Sequence, residues 1–276
     1  MTQDQRLNFL VRRFREDARD YQNIPTGETA EERRTILRSL MNIRMPGMLD
    51  QETMDIQDAY LLERNAEKGI VSPSEIETVA ASLGSSHPFA PVLSIWQGDI
   101  TRLAADAIVN AANSQMLGCF VPMHTCIDNC IHTYAGVQLR AECHRQMRDL
   151  RRKYGADYEQ PTAVPMLTGG YNLPAKHVIH VVGPIVQGSL SPALEADLAS
   201  CYRNVLDLCR EHELRTVAFC CISTGVFRFP NDRAAEIAVE TVTRWLEQNN
   251  GQIDRVIFNV FKEEDLALYG KLLRGR

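Results

Sequence analysis

The strongest constraint on the fold is a change of hydrophobic period near residue 90. Before it, apolar residues recur only at three- and four-residue steps: Leu7, Leu10, Val11, Phe14, Ala18 and Tyr21; Ile36, Leu37, Leu40 and Met41; Met54, Ala59, Tyr60 and Leu62. That spacing lines one face of a helix. Pro25 with Gly27 and Pro46 with Gly47 punctuate the stripes, so the segment reads as three or four short amphipathic helices. SPSEIETVAASLGSSHP, Ser72 to Pro88, closes it as a short helix and a linker.

After residue 90, β-branched runs alternate with helix-length segments. Val92 to Trp96, Ala107 to Val109, His177 to Val182, Thr216 to Cys221 and Arg255 to Val260 read as strands. Leu194, Leu198, Cys201, Val205, Leu208 and Cys209 form a helical stripe behind Ser191-Pro192, a suitable N-cap and first-turn pair. Ala234, Ile237, Ala238, Thr241, Val242 and Trp245 form another, opened by Asn231. Strands alternating with helices predict an α/β layer sandwich around a mostly parallel sheet. The predicted organisation is a helical N-terminal extension over 1–88 and an α/β domain over 89–276. Ligands of such sheets bind beyond the carboxyl ends of the strands, so chemistry is sought in the loops there.

Charge and cysteine usage narrow the function classes. The net charge is −5 with Lys and Arg spread along the chain, which argues against nucleic acid as the main partner. A phosphate-bearing ligand would then be held mainly by backbone groups. MTQDQRLNFLVRRFRED is too charged for a secretory segment, and no apolar run approaches the roughly 20 residues of a membrane span. The chain reads as soluble and cytoplasmic. Its eight cysteines are therefore expected as thiolate ligands or buried thiols rather than disulfides.

Three loops fall at strand ends. In GDIT, Asp99 is either the N-cap of a turn or an acceptor for an exocyclic amine. CISTGVFRFP, ending at Pro230, offers backbone N–H groups near a helix start, which suits an anion such as diphosphate; Phe227 is a core residue or packs on a ligand sugar. After AIVNAAN, where Asn110 and Asn113 are turn formers or ligand-holding amides, comes LGCFVPMHTC. Cys119, His124 and Cys126 make a C-x4-H-x-C arrangement of donors that zinc favours, with Cys130 and His132 nearby. Buried thiols are the alternative; a redox CxxC is absent. Spacing by itself does not choose the ligands.

Taken in order, GDITRLAADAIVNAAN, IDNCIHTYAG, YNLPAKHVIHVVGP and CISTGVFRFP resemble the macrodomain family of ADP-ribose-binding proteins. LGCFVPMHTC stands where most members carry a run of glycines, and it resembles the zinc-containing, protein-ADP-ribose hydrolase branch. LRSLMNIR from Leu37 to Arg44 and QDAYL from Gln57 to Leu61 resemble that branch's N-terminal segment.

The resemblance implies a three-layer α/β/α fold with a mixed, mostly parallel sheet. It assigns Asp99, with Ile100 beside it, to the adenine amine, and Ser223, Thr224, Gly225, Val226 and Phe227 to the phosphates. It assigns Asn113 to the distal ribose, Asp128 to the aspartate of hydrolytic members, and Cys119, His124 and Cys126 to Zn2+. Cys130 and His132 become helix-packing residues, and Phe261 lies near the adenine.

The activity implied is zinc-dependent removal of mono-ADP-ribose from protein side chains, as Asp or Glu esters. Two rivals are deacetylation of O-acetyl-ADP-ribose and a reader that binds ADP-ribose without turnover. The branch also implies a sirtuin-type ADP-ribosyltransferase and a lipoyl-carrier protein as partners. The N-terminal helices are left with two roles, covering one side of the sandwich or shaping substrate access.

Overall fold

A computed structural model describes residues 1–275. In chain order the elements are α1 (Gln3–Asp17), α2 (Ala30–Ile43), α3 (Gln51–Glu67) and α4 (Val79–Leu83), then β1 (Leu93–Gln97) and β2 (Ala107–Ala112). Next come α5 (Ile127–Ala135), α6 (Val137–Tyr154), β3 (Met166–Gly169) and β4 (His177–Val182). The chain ends with α7 (Pro192–Glu211), β5 (Thr216–Phe219), α8 (Asn231–Gln248), β6 (Arg255–Val260) and α9 (Glu263–Leu273). Among the described residues no helix is long and apolar enough to cross a membrane.

The elements form two compact units that do not follow chain order. Residues 1–69, 115–158 and 170–173 make a helical unit; 70–114, 159–169 and those from 174 onward make a sheet unit.

In the helical unit each of the first three helices starts on a side-chain oxygen. Thr2 with Gln5 and Thr29 with Glu32 form capping boxes, and Asp50 accepts from the Thr53 amide, which satisfies amides that a helix start leaves open. Leu7, Leu10, Phe14, Leu37, Leu40 and Tyr60 pack with Val137 of α6 in one core, each burial contributing about 1.5–3 kcal/mol. The predicted stripes shift slightly. Tyr21 lies beyond α1 in a 3-10 turn and is exposed, and on α3 Leu61 is buried while Leu62 faces out.

The sheet unit holds six strands in the order β1-β6-β5-β2-β4-β3, all parallel except β3. This is the mixed, mostly parallel sheet flanked by helices that the sequence predicts. β3 escapes sequence reading because it is four residues long, between Pro165 and Gly170, too short for a period to show. It pairs antiparallel at the edge, with Met166 opposite His180. β5 stops at Phe219, leaving Cys220 and Cys221 to the following loop, and β2 runs on to Ala112. Asn110 is therefore a fully buried strand residue, not a turn former; its Nδ2 lies 3.0 Å from His180 Nδ1.

From β2 the chain moves to β4 on one side and later to β5 and β6 on the other. The gap between the carboxyl ends of β2 and β5 is thus the topological switch point, where such sheets bind ligands.

Candidate active site

Two loops of the sheet unit flank this switch point: Asn113 follows β2, and residues 220–228 follow β5. In the second, Ser223 takes the left-handed conformation with φ 66°. Phe229 N–H donates to Ser223 O at 3.0 Å, Arg228 N–H to Gly225 O at 3.0 Å, and Thr224 Oγ1 to Cys221 O at 3.0 Å. The loop is thereby fixed, yet the amides of Gly225, Val226 and Phe227 donate to no group among the described residues. Successive open N–H groups just ahead of the α8 start suit an anion.

Val226 is 72% exposed, whereas Phe227 is half-buried with its carbonyl accepting from Val186 N–H. Gly183, after β4, is needed for this packing, since a Cβ there would stand 2.0 Å from Ser223 Oγ. Gly183 stands at the end of the motif YNLPAKHVIHVVGP, but nothing in its spacing marks this contact.

At the end of β1, Asp99 Oδ1 accepts from Thr101 N–H at 3.0 Å and from Thr101 Oγ1 at 2.6 Å. It caps the 3-10 turn Ile100–Arg102 and stays half-buried. Ile100 lies in the core, 1% exposed. Phe261, after β6, is 80% exposed. Asn113 is half-buried.

The helical unit contains the other set. Cys119, His124 and Cys126 place one donor atom each within 4.8 Å of one another, and Cys119 Sγ lies 3.5 Å from His124 Nδ1. A tetrahedral zinc, with bonds of roughly 2.3 Å to sulfur and 2.0–2.1 Å to nitrogen, separates such atoms by about 3.6 Å. The donor set and this spacing both fit the ion.

Cys126 is also the N-cap of α5, its Sγ accepting from Asn129 N–H at 3.4 Å. Burial pushes its thiol up to about 12; the Asn129 amide opposes this, and Cys119 and Asp128 add to it. A cation is what would convert this thiol to a ligand thiolate.

Asp128, in the first turn of α5, is buried, with Oδ1 3.6 Å from His132 Nε2. The His132 ring lies against Gly118, where a Cβ would come within 2.8 Å and where φ is 81°. Cys130 lies outside the three-donor group, its Sγ 3.7 Å from an Arg38 nitrogen. All eight cysteines are free thiols. Three residues that sequence reading missed touch this loop: Arg38 and Asn42 of α2, and Asn129. LRSLMNIR carried the first two, but without geometry nothing tied a helix to a loop some 80 residues away.

The family model described as Macro domain matches residues 109–238. A Treponema medium protein named protein-ADP-ribose hydrolase is 44% identical over 273 residues, covering 99% of this chain and 100% of its own. A Staphylococcus aureus protein of the same name is 40% identical over 269 residues, covering 97% and 95%. Among solved structures, the Trypanosoma brucei macrodomain in complex with ADP-ribose superposes with a TM-score of 0.63 at 28% identity, covering 90% of this chain and 97% of that one.

Proposed function

The chain belongs to the macro domain family, and from that premise we propose that it is a protein-ADP-ribose hydrolase. In this reading it removes mono-ADP-ribose from Asp or Glu esters with the help of zinc held by Cys119, His124 and Cys126. The observation that carries the proposal is the gathering of those three donors within 4.8 Å. Three protein ligands leave a fourth position for an oxygen, the pattern of catalytic rather than structural zinc. A reader that only binds ADP-ribose has no use for such a site.

Bound zinc would supply Lewis acidity toward a ribose or ester oxygen and would lower the pKa of a water. The remaining roles belong to side chains and amides. The N–H groups of 225–227 bind the diphosphate, with Ser223 and Thr224 shaping the loop. Asp99 accepts from the adenine amine, Asn113 orients the distal ribose, and Asp128 orients the attacking water. A sirtuin-type ADP-ribosyltransferase and a lipoyl-carrier protein belong to the proposal as partners, resting on the resemblance alone.

The test is release of ADP-ribose from an auto-modified target, with and without chelator. Release should fall on the order of 100-fold on zinc removal and in Cys119→Ala. Binding without release in either condition identifies a reader. Release indifferent to chelator and to the cysteine substitutions removes the metal from the reaction. Faster turnover of O-acetyl-ADP-ribose than of modified protein identifies the deacetylase.

A further inference from the structure

We propose that Arg38 and Asn42 of α2 are positioning residues for the soft-donor loop, so that the N-terminal helices form part of the candidate metal site. The proposal rests on the reading of Cys119, His124 and Cys126 as a ligand set.

Residues 118–126 contain neither helix nor strand, so the loop's own backbone does little to hold three donors together. Met123, one residue before His124, takes φ 58°, a left-handed conformation that costs a side-chain-bearing residue about 1–2 kcal/mol. Within the loop, His124 N–H donates to Val121 O at 3.2 Å. The bonds that fix this turn from outside come from Asn129 of α5, which holds Val121 O, and from one face of α2, where Arg38 and Asn42 stand four residues apart. Asn42 Oδ1 accepts from Met123 N–H at 3.0 Å, and its Nδ2 donates to Thr133 Oγ1 of α5 at 2.9 Å. Both functions of a buried amide are used.

Arg38 donates from a single nitrogen to His124 O at 2.8 Å and to Asn129 Oδ1 at 3.0 Å. Asn129 is fully buried and relays the restraint. Its Nδ2 donates to Cys119 O at 3.3 Å and Val121 O at 2.9 Å, and its backbone N–H to Cys126 Sγ at 3.4 Å. Every one of the three donor residues is therefore tied to Arg38 directly or through one asparagine.

The end of α2 is itself fixed. Arg140 of α6 is buried and donates to Met41 O at 3.2 Å and Asn42 O at 2.9 Å, carbonyls that a helix end leaves open. Its guanidinium sits 4.3 Å over the Phe120 ring, beside Cys119. α2 is thus clamped to the loop at both turns that touch it.

Arg38→Met keeps the aliphatic stem and removes the donors; Arg38→Lys keeps one donor group; Asn42→Ala removes the Met123 acceptor. Each variant is first shown to be folded by circular dichroism and melting. In metal-free protein, amide exchange of 119–126 should quicken at least 10-fold in Arg38→Met and in Asn42→Ala, less in Arg38→Lys, with 223–228 unchanged. Zinc affinity measured by chelator competition should weaken about 10- to 100-fold, the range for residues that orient a metal's ligands, while ADP-ribose affinity stays within about twofold. Unchanged exchange at 119–126 in folded Arg38→Met and Asn42→Ala overturns the proposal. A wild-type chain that binds no zinc, but whose loop exchange still depends on Arg38, defeats the metal reading and upholds the brace.

Discussion

Cys126 carries two demands that separate under substitution. As N-cap of α5 it needs an acceptor for the Asn129 amide; as a candidate ligand it needs a soft, deprotonatable sulfur. Serine meets the first demand better than cysteine and fails the second. In metal-free protein Cys126→Ser should therefore match the wild-type stability within about 1 kcal/mol, while Cys126→Ala loses about 0.5–2 kcal/mol by urea unfolding. Both should lose release activity on the order of 100-fold.

Gly183 gives a second prediction at this scale. A methyl group 2.0 Å from Ser223 Oγ must push the serine and its loop aside, so Gly183→Ala should weaken ADP-ribose binding at least 10-fold by calorimetry while metal content stays unchanged. The donor types and their order were legible because cysteine and histidine announce their chemistry. Gly183 was not, because what makes it necessary is a strand end and a loop 40 residues apart meeting at atomic contact.

Among elements, the amino-terminal ends of the central strands are tied by one carboxylate that no motif marked as structural. Asp106, just before β2, accepts from Arg215 N–H at 3.0 Å, Thr216 N–H at 2.9 Å and Thr216 Oγ1 at 3.1 Å, all at the start of β5. Its Oδ1 also meets Lys176 Nζ at 2.7 Å, just before β4. Burial would raise its pKa, but Lys176 and the donors of Arg215 and Thr216 outweigh it, and the carboxyl sits below its ordinary value of 3.8. A depressed folded pKa means that this stabilisation is complete above the unfolded value and is lost as pH falls through the folded one.

Asp106→Asn should cost about 1–3 kcal/mol at neutral pH and should flatten the loss of stability below about pH 5, read from urea melts at several pH values. The parallel strands were legible, with β4 and β6 bounded as predicted, because parallel buried strands read as continuous β-branched runs. β3, an edge strand, carries no such run. α6 was also missed; its buried Arg140 and Gln138 look like surface residues until the partners on α2 and α3 are seen.

For the whole molecule, chain order suggests an extension followed by a domain, whereas compactness groups residues 1–69 with 115–158 and 170–173. Hydropathy could not show this, because much of what joins the N-terminal helices to α5 and α6 is polar. Gln57 Oε1 accepts from the buried Val137 N–H at 3.1 Å, Asn65 Nδ2 donates to Tyr134 O at 3.3 Å, and Arg140 caps the end of α2. A buried polar group left without its partner costs about 1–3 kcal/mol, and several such losses approach the 5–15 kcal/mol that a whole domain has to spare.

If those groups instead open to water, α6 gives up the apolar packing of Val137 against α1–α3. By either route a chain lacking residues 1–69 cannot keep 115–158 in its native arrangement. The truncated protein should therefore bind a hydrophobic dye, should be cut by protease within 115–158 at least 10-fold faster than the full chain, and should fail to retain zinc. A truncated chain that melts cooperatively at the full-length temperature and resists protease there would show the N-terminal helices to be a separable cover.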